Sequence, residues 1–253
     1  LPVASPEHYQ RRRDVNLERL RLCHRLVAPS ARVAEIYSQL GVHRESIDVQ
    51  RLTLPHLERL APRREAAVGS PLTFVTLGGC ASPAKGSGAI VDAVRALEAS
   101  GRRYRLVVHG NADEAAGAAL APVPSVELAG PYAPADLDRL LDLADVGILP
   151  SIWEESHGFT GIEMLAKGLP VIGSALGGIP EYVREGETGW LNRSATGAEL
   201  AELMSGLIEA PGEVESLRRS VRGRRAEIVR PMADHLGEVE ELYSRLTRQG
   251  AAL

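Results

Sequence analysis

From Leu72 onward, short apolar runs alternate with segments of helical spacing, and no other feature narrows the folds open to this chain so far. LTFVTLGG (72–79), YRLVVHG (104–110), VELAG (126–130), VGILPS (146–151) and PVIGSA (170–175) read as strands. Between them SGAIVDAVRALEAS (87–100) places Ile90, Val94 and Leu97 on one helical face, and an alanine-rich helix candidate spans 113–120. ADLDRLLDLAD (135–145) sets Leu137, Leu140, Leu141 and Ala144 at i, i+3, i+4, i+7, an amphipathic helix, and FTGIEMLAKG (159–168) reads as another. A short helix around IPEYV, a strand-like GWL and three helical patterns complete the chain. Strands that are apolar throughout are buried on both faces, and the intervening helices supply the cover. The expected fold is α/β: a doubly wound parallel sheet with helices on both faces.

Upstream the pattern is thinner. DVNLERLRLCHRL (14–26) reads as helix running into a short strand, RLVAPS (25–30). ARVAEIYSQLGV (31–42) has helical spacing with Gly41 at the C-cap, and IDVQRL (47–52) is a second strand. The polar, proline-punctuated TLPHLERLAPRREAAVGSP (53–71) reads as a linker, so domain boundaries are placed at 1–70, 71–230 and 231–253. The chain begins at Leu1 rather than Met and is expected to be a piece of something longer.

Composition removes several function classes. A formal charge of −4 argues against nucleic acid as partner, because phosphate-backbone binding leaves a basic footprint. The two cysteines, Cys23 and Cys80, lie far apart without metal-type spacing, which fits a reducing, cytoplasmic setting. No apolar stretch approaches the roughly 20 residues a bilayer requires, and LPVASPEHYQRRRD lacks the apolar core of a signal peptide. His24, His43, His56, His109 and His235 form no cluster in sequence, so no metal is expected. The basic runs RRR (11–13) and RRSVRGRR (218–225) leave an anionic membrane surface open as a partner without indicating one, and the 218–225 run reads as a solvated or interdomain face. Trp153 and Trp190 read as packing residues.

In an open α/β sheet, ligands bind outside the carboxyl ends of the strands. The segments there are LGGCASPAKG, HGNAD, GPYA and SIWEESHGF. In the last of them, Glu155 and Glu163 bracket a glycine-containing turn where a strand gives way to a helix. Free N–H groups of a helix start favour an anion, and glycine lets a ligand approach the backbone. A carboxylate accepts hydrogen bonds from vicinal hydroxyls. Eight helical residues span roughly 12 Å, which suits a ligand with hydroxyls at both ends and an anionic middle, as in a nucleotide-diphospho-sugar. Spacing alone leaves open that Glu155 is a solvated loop acid and Glu163 a partner of the helix dipole.

The string PS-x3-ES-x-G-x4-E-x2-A-x-G-x-PV-I, continuing into GGIPEYVREGETGWL, resembles the donor domain of retaining glycosyltransferases of the group-1 (family 4) class, which have the GT-B fold. Glu155-SHGFTGI-Glu163 matches that family's Glu-x7-Glu pair, and FVTLGGCASPAKG resembles its first strand, phosphate loop and Lys-Gly. The likeness runs from about residue 25 to the end. It implies the C-terminal donor half of a glycosyltransferase, residues 1–70 being the tail of an acceptor domain with its linker and 231–253 a helix packing back towards it. It also implies transfer of a hexosyl group from a nucleotide sugar such as a UDP or GDP sugar to a hydroxyl of unknown acceptor, without metal. With no acceptor domain, this chain by itself is expected to be inactive or weakly active.

By the same resemblance Glu163 would accept ribose hydroxyls and Glu155 would lie near the sugar. Ser156, His157, Gly158, Phe159 and Thr160 would surround the diphosphate and sugar, with Lys85 neutralising the departing diphosphate. Gly130, Pro131 and Tyr132 would line the base pocket. Catalytic roles fall to Lys85 and Glu155. Two positions depart from the family pattern: Gly79, which the resemblance places among the substrate-binding residues, stands where an arginine is usual, removing half of a cationic clamp, and His157 stands where an apolar or aromatic residue is usual. A non-catalytic nucleotide-sugar-binding or architectural domain remains the alternative, with a phosphorylase or epimerase on the same fold as a third.

Overall fold

The computed structural model describes residues 5–63 and 67–250 (for 249 and 250, the backbone alone), so part of the linker-like stretch and both chain ends lie outside the described residues. The chain groups into two compact units, one of residues up to Leu52 together with those from Met232 on, the other Thr53–Pro231.

In the smaller unit, Ser5 caps α1 (Pro6–Arg21) by accepting from the His8 N–H. β1 (Leu26–Ala28) leads into α2 (Ala31–Gln39), which Ser30 caps at Val33 N–H, and then β2 (Ile47–Val49) pairs parallel to β1. Leu17, Ala28, Ala34, Val42 and Ile47 form its core.

The larger unit carries the alternation. Its elements are β3 (Leu72–Leu77), α3 (Ser87–Ala99), β4 (Tyr104–His109), α4 (Glu114–Leu120), β5 (Val126–Gly130), α5 (Leu137–Leu141), β6 (Val146–Leu149), α6 (Phe159–Lys167), β7 (Val171–Ser174), β8 (Gly189–Asn192), α7 (Gly197–Glu209), α8 (Pro211–Gly223) and α9 (Arg225–Ile228); α10 (Met232–Gly250) belongs with the smaller unit. The six strands are all parallel, in the order β5-β4-β3-β6-β7-β8. Every residue of β3 is buried. Phe74 packs with Ile90 and Leu97 on one face while its neighbour Val75 joins Ile162 and Leu165 on the other, the two-residue period of a strand covered twice. The α/β, doubly wound parallel sheet is present as expected.

Winding reverses between β3 and β6: β4 and β5 lie to one side, β7 and β8 to the other. In open sheets of this kind the loops leaving the two strands at the switch point, here β3 and β6, border the ligand crevice. They also touch. Gly86, at φ +89, sits where a Cβ would lie 2.0 Å from the Pro150 carbonyl oxygen, so only glycine permits this approach. Among the described residues no helix is long and apolar enough to cross a membrane.

Three expectations need correction. The helix anticipated over 135–145 is a 3-10 turn at Pro134–Asp136 followed by the five residues of α5. It must end early because the Asp145 N–H bonds to the Thr73 carbonyl at 2.7 Å, joining the sheet ahead of β6. Arg218, in the basic run read as a solvated or interdomain face, is buried and paired with Asp145, while Arg225 of that run donates to backbone carbonyls. Trp190 packs, its indole N–H on Glu213 Oε1 at 2.8 Å, but Trp153 is 63% exposed and packs against no core.

Candidate functional site

The loops after β3, β5 and β6 bring most of the sequence-derived candidates to the carboxyl edge of the sheet. Lys85 ends a 3-10 turn (Pro83–Lys85) that Ser82 caps. Its Nζ lies 2.5 Å from Glu155 Oε1, across the switch point from one loop to the other. The Ser151 hydroxyl donates to the same oxygen at 2.6 Å. Glu155 is buried and Lys85 about half exposed, so the carboxylate is fixed while the ammonium keeps a free side toward solvent.

Helix α6 starts beside this pair. Gly158 adopts φ +70 at its N-cap, and no side chain caps the first turn. The N–H groups of Phe159 and Thr160 thus lack intrahelical acceptors. Tyr182 explains the glycines here: its buried hydroxyl donates to the Gly158 carbonyl at 2.9 Å, and a Cβ at Gly158 or Gly161 would meet its Oη at 2.6 or 2.7 Å. Burial, with the Glu155 charge second, pushes the Tyr182 hydroxyl pKa up, so it serves as a neutral donor. His157 is buried edge-on against Phe159 and Tyr182, at ring distances of 5.2 and 6.3 Å, whereas Ser156 is exposed.

Glu163, one helical turn on, is 9% exposed. Its Oε1 accepts from His56 Nε2 at 2.7 Å. Burial raises its carboxyl pKa, and the hydrogen bond and charge of His56 act in the opposite direction. Half-buried Tyr132 stands within electrostatic reach; burial and the Glu163 charge push its hydroxyl up to about 12. Its ring packs edge-on against His109 at 6.0 Å. Pro131 is exposed and Gly130 half-buried in the same turn.

Gly79 is buried, and a Cβ there would lie 2.3 Å from Thr76 Oγ1 and 3.2 Å from both Ile90 Cδ1 and Pro150 Cδ. An arginine at this position would require the backbone to move. The neighbouring Cys80 is buried, which with the Asp113 charge pushes its thiol up to about 12, so it is no thiolate.

Sequence reasoning missed His56, Ser151 and Tyr182. Ser151 and Tyr182 stand inside the quoted strings PS and IPEYV, so their places were in view without their partners. His56 lies 107 positions from Glu163, in a stretch read as linker, and no spacing signals it.

A family profile described as "Glycosyl transferases group 1" matches residues 71–210. Among curated relatives, the chain is 26% identical to the amylovoran biosynthesis glycosyltransferase AmsK of Erwinia amylovora, over 82% of this chain and 53% of that protein. It is 31% identical to the D-inositol 3-phosphate glycosyltransferase of Nocardia farcinica, over 77% of this chain and 46% of that one. The chain thus spans about half the length of the curated relatives it matches. Among solved structures, Anabaena HepE in complex with UDP and glucose superposes with a TM-score of 0.73 at 19% identity, covering 95% of this chain and 68% of that one. Sucrose-phosphate synthase from Thermosynechococcus elongatus superposes with a TM-score of 0.78 at 22% identity, covering 98% and 65%. At such identities the superpositions speak for the fold, a Rossmann-like domain of GT-B type.

Proposed function

Since this chain belongs to the group 1 glycosyl transferases, we propose that its larger unit is the donor-binding half of a glycosyltransferase that moves a hexosyl group from a nucleotide-diphospho-sugar to a hydroxyl, with retention of configuration. One observation carries the reading: Lys85 meets Glu155 across the switch point, beside the uncapped start of α6, with Glu163 a turn further along. HepE, with the same fold, was solved with UDP and glucose, which supports a donor of this class.

Each group then has one task. The free N–H groups of Phe159 and Thr160 and the positive end of α6 receive the diphosphate. Lys85, tethered by Glu155 and half exposed, turns its remaining N–H groups to the charge that builds on the leaving diphosphate. With Gly79 closed to a side chain, Lys85 acts there without the family's usual arginine. Glu163 accepts from the ribose hydroxyls, and Tyr132 borders the base. Glu155 and Ser151, locked together, form the wall on the sugar side.

Thermal denaturation with UDP, GDP, ADP and TDP, and with their sugars, tests this. At least one should raise the melting temperature, and Glu163→Ala should abolish the rise. A flat response to every nucleotide would refute the reading.

A further inference from the structure

Resting on the donor reading above, we infer that His56 is a positioning residue that aims the Glu163 carboxylate and so sets how strictly the site demands an intact ribose. A carboxylate can only accept, so at 2.7 Å the imidazole Nε2–H donates to Glu163 Oε1. The terminal torsion of a glutamate is broad and roughly two-fold. One directed bond to Oε1 selects a single setting and leaves Oε2 for the ligand.

The histidine is delivered by a strap. Residues 53–63, the start of the larger unit, pack on the rest of it with Leu57 and Leu60 buried in its core. The Thr53 hydroxyl donates to the Arg230 carbonyl at 2.7 Å, the Ala61 N–H to Asp138 Oδ1 at 3.0 Å and the Arg63 N–H to the Lys167 carbonyl at 2.8 Å. Arg225 reaches the Leu60 carbonyl at 2.7 Å and the Leu57 carbonyl at 3.4 Å, and also donates to the Ala166 carbonyl at the C-terminal end of α6. None of these fastenings uses the imidazole. The strap stays in place without it, and what the imidazole does is done at Glu163.

The site geometry agrees. Glu163 is nearly buried while His56 remains 24% exposed. Burial opposes the charge on Glu163 and the His56 bond supports it. Tyr132, with its hydroxyl held neutral, is a second titratable group in reach of that charge.

The test is calorimetric, on the full chain. The one of UDP, GDP and ADP that binds best is compared with its 2′-deoxy counterpart in wild type, His56→Ala and His56→Gln. Wild type should prefer the ribonucleotide about tenfold or more, a missing hydrogen bond to a nearly buried carboxylate being worth at least about 1.4 kcal/mol. His56→Ala should lose most of that preference, chiefly by weakening the ribonucleotide, with deoxynucleotide affinity held within about twofold. His56→Gln, whose amide N–H reaches the same oxygen, should keep most of it. An unchanged preference in His56→Ala would overturn the inference, as would an equal loss of both nucleotides, which marks a merely structural histidine. If wild type itself ignores the missing hydroxyl, the ribose role of Glu163 fails first, and that outcome is distinct from the other two.

Discussion

Strand β6 has a carboxylate close to each end, and the two live differently. Before it, Asp145 is 1% exposed and saturated: it accepts from Thr73 N–H at 2.7 Å and Gly69 N–H at 3.2 Å, and pairs with Arg218 and with Arg63 at 3.5 Å. Beyond it, Glu155 is also buried, but it holds one hydroxyl and one half-exposed ammonium, both on Oε1. A buried charge whose every lone pair is taken by its own chain is a fastener. One whose counterion still faces water can bring that counterion to a ligand. The choice of cation follows: planar guanidinium forks at the closed end, a compact flexible ammonium at the open one.

Asp145→Ala is the harshest way to try this contrast. It leaves Arg218 buried without its partner and should cost about 3–5 kcal/mol in chemical denaturation, with nucleotide affinity of the folded protein unchanged. A cost below about 1 kcal/mol would erase the distinction between the two ends. Lys85→Ala inverts the pattern. Only the lysine end of its ion pair is exposed, so water replaces part of the lost contact and stability should fall by less than Asp145→Ala costs, while nucleoside diphosphate affinity should fall about tenfold or more by calorimetry. Equal affinity for the two proteins would show that Lys85 is only a fastener.

The gentlest effect is a pH dependence at Glu163. Burial holds its folded pKa above the ordinary carboxylate value, so the folded chain keeps the proton to higher pH than the unfolded chain does. The resulting stabilisation is complete below the ordinary value and is lost as pH rises through the folded one. Glu163→Gln should remove that decline in denaturation series run upward from the ordinary carboxylate value of about 4.3. An identical slope in both proteins would mean that His56 fully offsets burial.

How much of this could be read in the chain depended on distance along it. The parallel sheet followed from runs such as LTFVTL, buried at every position, and from helices of fitting length between them. Glu155 and Glu163 were legible because both belong to one strand-to-helix turn, where spacing is geometry. Three features were not. The His56 contact spans a polar, proline-broken stretch whose fixed shape comes from Arg225 and two buried leucines, not from periodicity. Arg218 looks like any arginine in a basic run until Asp145 is placed beneath it. Leu137 to Ala144 keep helical spacing, yet the sheet's need for the Asp145 N–H ends the helix after Leu141.

The strap has a practical corollary for anyone dissecting this protein. The matched span, residues 71–210, looks like a natural unit to excise, but it omits both the 53–63 segment and Arg225 that clamps it. Trimmed to that length, the domain would bare the apolar trough that Leu57 and Leu60 fill and would lose the imidazole beside its acid. A cut that starts ahead of Thr53 and runs past Arg230 keeps trough, clamp and histidine together.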